Sequence, residues 1–325
     1  MNVFFDDITA LEQWRYDDDY VSTLQHHVDN PNLMDTPATC HELRVEVPRD
    51  GVDPNTTIHL LTGSPANRPL VDGYYISCVK HPLPADSFRR VDVGIYRASP
   101  ELCFVRLASR LSLEQLIQLG MELCGTYVLR PDTRRGFDNH DSQLTSVERL
   151  SAYIEELGQT KGLARARKAL KYVRDGSASP METCQYMLLC LPLRMGGYGL
   201  TGAEVNGELP LSPRAALLAE RESFRCDLFW RDKGVAVEYD SKEDHLGLAA
   251  FVRDNAKRNV LMDMGIKVYI VSSNQIIDPE QFDVVAHMVA RAIGKRLRDY
   301  PADWENRHTH LYNKIFASLK NRRTM

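Results

Sequence analysis

The chain has 325 residues, of which 43% are hydrophobic and 26% charged, and its formal net charge is −4. That composition excludes long disorder, and the length is enough for two or three domains, each burying its own core. No global basic field marks the chain as a nucleic-acid binder by charge alone, which leaves recognition to local patches.

Seven cysteines, Cys40, Cys78, Cys103, Cys124, Cys184, Cys190 and Cys226, are scattered without CxxC spacing. Such a set is expected as reduced, mostly buried thiols, which argues against a disulfide framework or a zinc site and fits a cytoplasmic location. The opening MNVFFDDITALEQW has acids where a signal peptide has base and an apolar run. No apolar run reaches the ~18 residues of a membrane span, so no membrane association is expected.

Residues 1–40 carry few signals. Ile8 to Trp14 has the spacing of a short helix, Asp17-Asp18-Asp19 reads as a solvated acidic face before it reads as a metal site, and His26-His27 reads as surface. Residues 41–97 hold the β-prone runs HELRVEV, TTIHLLTG, YYISCV and VDVGIYRA, separated by Pro-, Gly- and Asp-rich breakers. A sheet of about four strands is expected there.

Residues 99–158 turn helical. Ser99-Pro100 supplies a cap and an N1 proline, Ser112 with Gln115 forms a capping box, and Thr145 with Glu148 forms another. Gly125 is a stop signal, and Pro131 to His140 a polar link. Arg165, Arg167, Lys168, Lys171 and Arg174 make residues 162–176 a basic helix, read either as a phosphate contact or as the solvated face of a connector.

A second domain is expected from Ser179, where Pro180 to Leu193 reads as a buried helix and Arg194 to Leu211 as a Gly-rich loop. Next comes RCDLFWRDKGVAVEYDSKEDH, residues 225–245, which reads as two strands joined by Arg231-Asp232-Lys233-Gly234, with Gly234 free to take positive φ. Counting back from that loop pairs Trp230 with Val235, Phe229 with Ala236, Leu228 with Val237 and Asp227 with Glu238. Asp240 then shares a face with Glu238 and Asp227. Opposed Cβ atoms lie about 4.5–5.5 Å apart, so two carboxylates there repel and call for a cation or a shared proton. Hard oxygen ligands suit Mg²⁺, Mn²⁺ or Ca²⁺. The bland reading is a surface hairpin with scattered acids, Arg225 facing Asp240 as an ion pair. A helix ending at Gly265, a strand over IKVYIVSS, an amphipathic helix from Asp278 and a polar tail from Trp304 complete the chain.

The residues Ser179-Pro180-Met181-Glu182, Asp227, Val237-Glu238-Tyr239-Asp240, His245, Arg253-Asp254, Arg258 and Gly265 fall in an order that resembles the PD-(D/E)xK nuclease superfamily, and more narrowly its very-short-patch-repair-like branch. The resemblance covers about residues 177–295. It implies a restriction-endonuclease-like α/β fold, a mixed sheet flanked by helices. It also implies a Mg²⁺ or Mn²⁺ site on Asp227 and Glu238 with the Tyr239 carbonyl. Glu182, Asp240 and His245 join them as catalytic candidates, and Arg253 and Arg258 as phosphate-binding ones. The chain departs from the pattern in three places. Asp240 stands at the lysine position of the E-x-K motif, Ser241 replaces a glycine, and one extra residue precedes His245. Lys242 is a candidate for the missing lysine's role. Bland readings stand beside these. Ser179 and Glu182 form a capping box, Asp254 and Arg258 an i, i+4 helix pair, and His245 follows the acids as an ordinary loop histidine.

The N-terminal stretch YRASPELCFVRLASRLSLEQLIQLGMELCGTYVL more loosely resembles AbiEi-type antitoxin and regulator proteins, which implies a toxin–antitoxin or defence context and carries no catalytic residue. The expected organisation is an α+β domain over 1–160 for regulation or targeting, with a protein partner, a basic connector over 161–176, a nuclease domain over 177–299 and a polar tail over 300–325. The expected function is a metal-dependent endonuclease acting on DNA. The alternative is a non-catalytic DNA-binding or antitoxin-like regulator with a degenerate nuclease fold.

Overall fold

The computed structural model describes residues 1–28, 31–49, 52–240, 257–298 and 300–320. The chain is a mixed α/β protein that divides into two compact units, Met1–Val173 and Arg174–Met325.

The first unit is built on strands β1 (Val3–Phe5), β2 (Ile58–Thr62), β3 (Tyr74–Cys78), β4 (Phe88–Asp92) and β5 (Ile95–Ala98), in the order β3-β2-β1-β5-β4. The shortest of them, β1, lies at the centre, parallel to β5 and antiparallel to β2. Two β-prone runs behave differently from expectation. HELRVEV lies largely in the helix Cys40–Glu46, because Thr39 and Glu42 close a capping box in front of it and only Leu43 is buried. VDVGIYRA is split at a turn, so that Phe88–Asp92 and Ile95–Ala98 pair as a hairpin.

The expected helices follow at Pro100–Leu107 and Leu113–Leu123, with the Ser112–Gln115 capping box in place. The next helix, Val147–Glu156, is where expected, but its cap is one residue later than the Thr145–Glu148 box predicts. Ser146 caps it, while the Thr145 hydroxyl donates to buried Glu101 at 2.5 Å. Across the start of the polar link, β6 (Tyr127–Leu129), just before it, and β7 (Phe137–Asn139), inside it, form a small hairpin. The basic helix Leu163–Leu170 belongs to this unit, with Leu163, Ala166 and Ala169 buried and its cationic side chains outward or on backbone carbonyls. Gly120 permits the close packing beneath it, since a Cβ there would lie 2.5 Å from Val173 Cγ2.

The second unit carries a four-stranded mixed sheet. Its strands are β8 (Glu204–Pro210), β9 (Ser223–Trp230), β10 (Val235–Asp240) and β11 (Lys267–Ser272), in the order β11-β10-β9-β8. Neighbours are antiparallel except β10 and β11, which are parallel. Strand β8 lies in the segment expected as loop. Its glycine and alternating acids hide it in the sequence, yet it pairs with β9 along most of its length. The loop before it holds glycines for a packing reason. A Cβ on Gly196, at φ +87, would lie 2.4 Å from the Arg307 carbonyl oxygen, and one on Gly197 would lie 2.2 Å from that of Leu191.

Around the sheet stand the helices Pro180–Cys190, Pro213–Ala219, Ser273–Ile277 and Pro279–Ala292, and residues 257–263 are helical. The segment expected as a polar tail is instead the helix Trp304–Lys320. Trp304, His308, Leu311, Tyr312, Ile315 and Phe316 recur every three or four residues and are all buried. Its Trp304 indole donates to the Gly197 carbonyl at 3.1 Å, and His308 Nδ1 donates to that of Gly196 at 2.6 Å. Among the described residues no helix is long and apolar enough to cross a membrane.

If the C-terminal helix is an integral part of the second unit, Leu311→Ala should cost about 2–5 kcal/mol of stability. The exposed control Glu305→Ala should stay within about 0.5 kcal/mol of wild type. Urea unfolding followed by tryptophan fluorescence, which Trp230 and Trp304 supply in this unit, measures both.

Candidate functional site

The β9–β10 hairpin has the expected register: Trp230 pairs with Val235, Phe229 with Ala236 and Leu228 with Val237. The connecting residues Arg231–Lys233 form a turn of 3₁₀ helix, and Gly234 closes it at φ +58. Beyond Leu228 the regular pairing stops. Asp227 turns its carboxylate between the strands, and its Oδ2 accepts the Tyr239 amide at 2.6 Å.

The other side of β9 is interrupted at the same level. Pairing with β8 passes from Val205–Leu228 to Gly207–Cys226, leaving out Asn206 and Asp227. Asn206 sits at φ +49, a conformation asparagine tolerates better than most residues. Its side-chain amide donates to Glu182 Oε2 at 2.7 Å and to the Gly176 carbonyl at 2.8 Å.

Glu182 is buried in the first turn of Pro180–Cys190. Ser179 caps that helix by accepting the Glu182 amide, as expected, but the Glu182 carboxylate does not close the box. It accepts from the Ala178 amide at 2.9 Å and from Asn206. The capping motif therefore explains Ser179 and leaves the Glu182 carboxylate available to face the sheet.

Glu238, on β10, completes the group. Its Oε2 receives the ammonium of Lys257 at 2.8 Å, and the same ammonium donates to the Arg225 carbonyl at 2.7 Å. Lys257 is the residue that sequence reading missed. It lies on a helix twelve residues past His245, where spacing along a strand gives no hint of it. Asn206 was missed for a different reason, because its strand was hidden. Lys257, Glu238, Tyr239, Asp240 and Arg258 line a cleft of about 130 Å³ with an apolar side of Leu261, Val268 and Ile270. Asp240 and Arg258 thus stand beside the acids. Lys242, His245, Arg253 and Asp254 lie outside the described residues.

The electrostatics tie the three acids into one system. Burial first, then the charges of Glu182 and Glu238, push the Asp227 carboxyl well above the usual carboxylate range, against the opposing pull of the Tyr239 amide and Lys257. Burial raises Glu182 too, with Glu238 adding to it and the hydrogen bonds from Ala178, Asn206 and Ser179 working the other way. Burial and Glu238 push the neighbouring Cys226 thiol up to about 12. For Lys257, burial works to lower the ammonium's pKa, and the attraction of Glu238 more than offsets it, so the pKa is raised.

The carboxylate oxygens of Asp227 and Glu238 are chemically suited to hold a hard divalent cation. As the side chains stand, with Glu238 on Lys257 and Glu182 on Asn206, no group of three or more His, Cys, Asp or Glu among the described residues is arranged to hold a metal ion.

A raised carboxyl pKa carries a sign. Below the unfolded-state value, about pH 4, Asp227 is protonated in both states and adds no penalty. As pH rises through the folded-state value, the folded protein loses stability relative to the unfolded chain. Asp227→Asn keeps an acceptor for the Tyr239 amide and removes the charge. In metal-free buffer it should unfold about 2–4 °C or more above wild type near pH 8, and the gain should vanish toward about pH 4. Differential scanning calorimetry across that range checks it, and a pH-independent difference would count against the coupling.

Comparison of the chain with protein-family models, with curated proteins and with solved structures gave no match.

Proposed function

We propose that the second unit is a metal-dependent nuclease that hydrolyses DNA phosphodiester bonds, with Asp227 and Glu238 as the principal ligands of Mg²⁺ or Mn²⁺. The observation that carries this reading is the convergence of Glu182, Asp227 and Glu238, from one helix and two strands, on a point where the Asp227 carboxyl is held well above its ordinary range. Strongly perturbed acids beside a cleft are a mark of functional sites. Support also comes from the mixed sheet flanked by helices, which is the arrangement that the PD-(D/E)xK resemblance implies for a restriction-endonuclease-like domain.

A bound divalent cation supplies two things to such a reaction: it polarises the phosphate and lowers the pKa of water. The chain's own residues do the rest. The Tyr239 amide fixes one Asp227 oxygen, which sets the orientation of that carboxylate. Glu182, held by Ala178 and Asn206, keeps a third acid close to the pair. Arg258, on the wall of the cleft, is suited to bidentate contact with a phosphate. Lys257 places a positive charge on the same wall and leans on Glu238. The first unit, with its five-stranded sheet and helices, is assigned a regulatory or targeting role with a protein partner, in line with the looser AbiEi-type resemblance.

The alternative, a non-catalytic DNA-binding regulator in which the acids are a remnant, makes the opposite forecast for one experiment. Wild-type protein should nick supercoiled plasmid in Mg²⁺ or Mn²⁺ and not in EDTA. Asp227→Ala and Glu238→Ala should lose at least about a hundredfold of that rate while keeping wild-type circular dichroism. Absence of cleavage by wild type across divalent metals and DNA forms, or equal cleavage by the variants, would sink the nuclease reading and favour the regulator.

A further inference from the structure

We propose that Lys257 is a built-in counter-cation: its ammonium holds Glu238 in the metal-free protein, and a divalent cation entering the carboxylate cluster must displace it. This inference rests on the metal-site reading above and assigns the residue that governs occupancy of that site.

The geometry points to Lys257 in three ways. Its Nζ lies 2.8 Å from Glu238 Oε2 and 2.7 Å from the Arg225 carbonyl oxygen, so the ammonium is held by a carboxylate of the proposed metal pair and by the backbone of β9, two residues before Asp227. The side chain is 25% exposed and that of Glu238 19%, so the pair is shielded enough for its attraction to matter and open enough to exchange. The position is also on the wall of an open cleft, which leaves a displaced ammonium room to move.

The chemistry makes the exchange physical. An ammonium and a hard divalent cation draw on the same carboxylate and repel each other there, so each weakens the other's hold. A lysine is a compact point charge on a flexible stem, and it leaves such a contact more readily than the planar fork of an arginine. In the structure the Glu238 carboxylate is turned toward that lysine.

The test is titration of the full chain with Mn²⁺ by isothermal calorimetry, for wild type, Lys257→Met, Lys257→Arg and Asp227→Asn. Lys257→Met should bind Mn²⁺ about tenfold or more tightly than wild type, the ratio expected from removing a unit charge about 6 Å from a dication even at the dielectric of water. Lys257→Arg should bind no more tightly than wild type, and Asp227→Asn should bind more weakly. Lys257→Met leaves three acids without their lysine and will be less stable without metal. A second readout therefore accompanies the first: the Mn²⁺-induced rise in unfolding temperature, which should be larger in Lys257→Met than in wild type. Equal or weaker binding by Lys257→Met, with an equal or smaller thermal shift, while wild type binds Mn²⁺, overturns the counter-cation role and leaves the metal site standing. No binding by either protein, with both folded, removes the metal-site reading itself and the proposal with it.

Discussion

The ammonium of Lys257 lies 2.8 Å from Glu238 Oε2, and the packing of three acids near the paired ends of β9 and β10 depends on that contact. Glu182, Asp227 and Glu238 each raise the cost of ionising another. Breaking a buried pair by removing one partner commonly costs about 3–5 kcal/mol, because the remaining charge is stranded. Around Lys257 the acids are further held by the Tyr239 amide, which donates to Asp227, and by the Ala178 amide and the Asn206 side chain, which donate to Glu182, while the Asp227 carboxyl is pushed above its usual range.

The backbone is shaped around the same point. A regular ladder through Asn206 and Asp227 would commit their backbone groups to ordinary pairing, and the register omits both residues. Asn206 takes a left-handed conformation, which lets its amide reach Glu182 and the Gly176 carbonyl. The Pro180–Cys190 helix is started by Ser179 and Pro180 so that its first turn delivers Glu182 to the sheet. Three local departures, a capped helix start, a left-handed asparagine and a side chain that replaces a ladder bond, therefore meet at one site. Such departures from regular structure concentrate where function constrains the chain.

Part of this was legible in the sequence. The pairing of Trp230 with Val235 follows from alternation and the four-residue connection, and positive φ at Gly234 from turn chemistry. The acids Asp227 and Glu238 follow from the same count. What the count could not supply was the contact that departs from it: Asp227 turns to the Tyr239 amide, and the Cys226 thiol lies against Glu238. Asn206 and Lys257 were out of reach for different reasons. Asn206 sits in a strand whose glycine and charged residues mimic a loop. Lys257 is brought in by helix packing over a separation of nineteen residues from Glu238, and no local period encodes that approach. In the first unit β1 was missed because three residues are too few for alternation to register, although burial of Val3 and Phe4 makes it central to the sheet. The C-terminal helix was hidden by its polar face, which masks a stripe of Trp304, Leu311, Ile315 and Phe316.

The two units hold their acids in different ways. In the first unit the buried acids among the described residues, and half-buried Asp17, meet a guanidinium: Asp6 with Arg106, Asp7 with Arg110, Asp17 with Arg97, Glu122 with Arg15 and Glu101 with Arg149. Arginine stays charged at any pH the protein meets and locks a carboxylate with a rigid fork, as Arg15 does with both oxygens of Glu122. Those pairs fix structure and leave little room for exchange. In the second unit Glu182, Asp227 and Glu238 lie close enough to shift one another's pKa, and Lys257 meets Glu238 as a point charge. At Asp227 the carboxylate is instead fixed by the Tyr239 backbone amide, and burial together with Glu182 and Glu238 pushes its pKa up, where the acids of the first unit are held by charged forks.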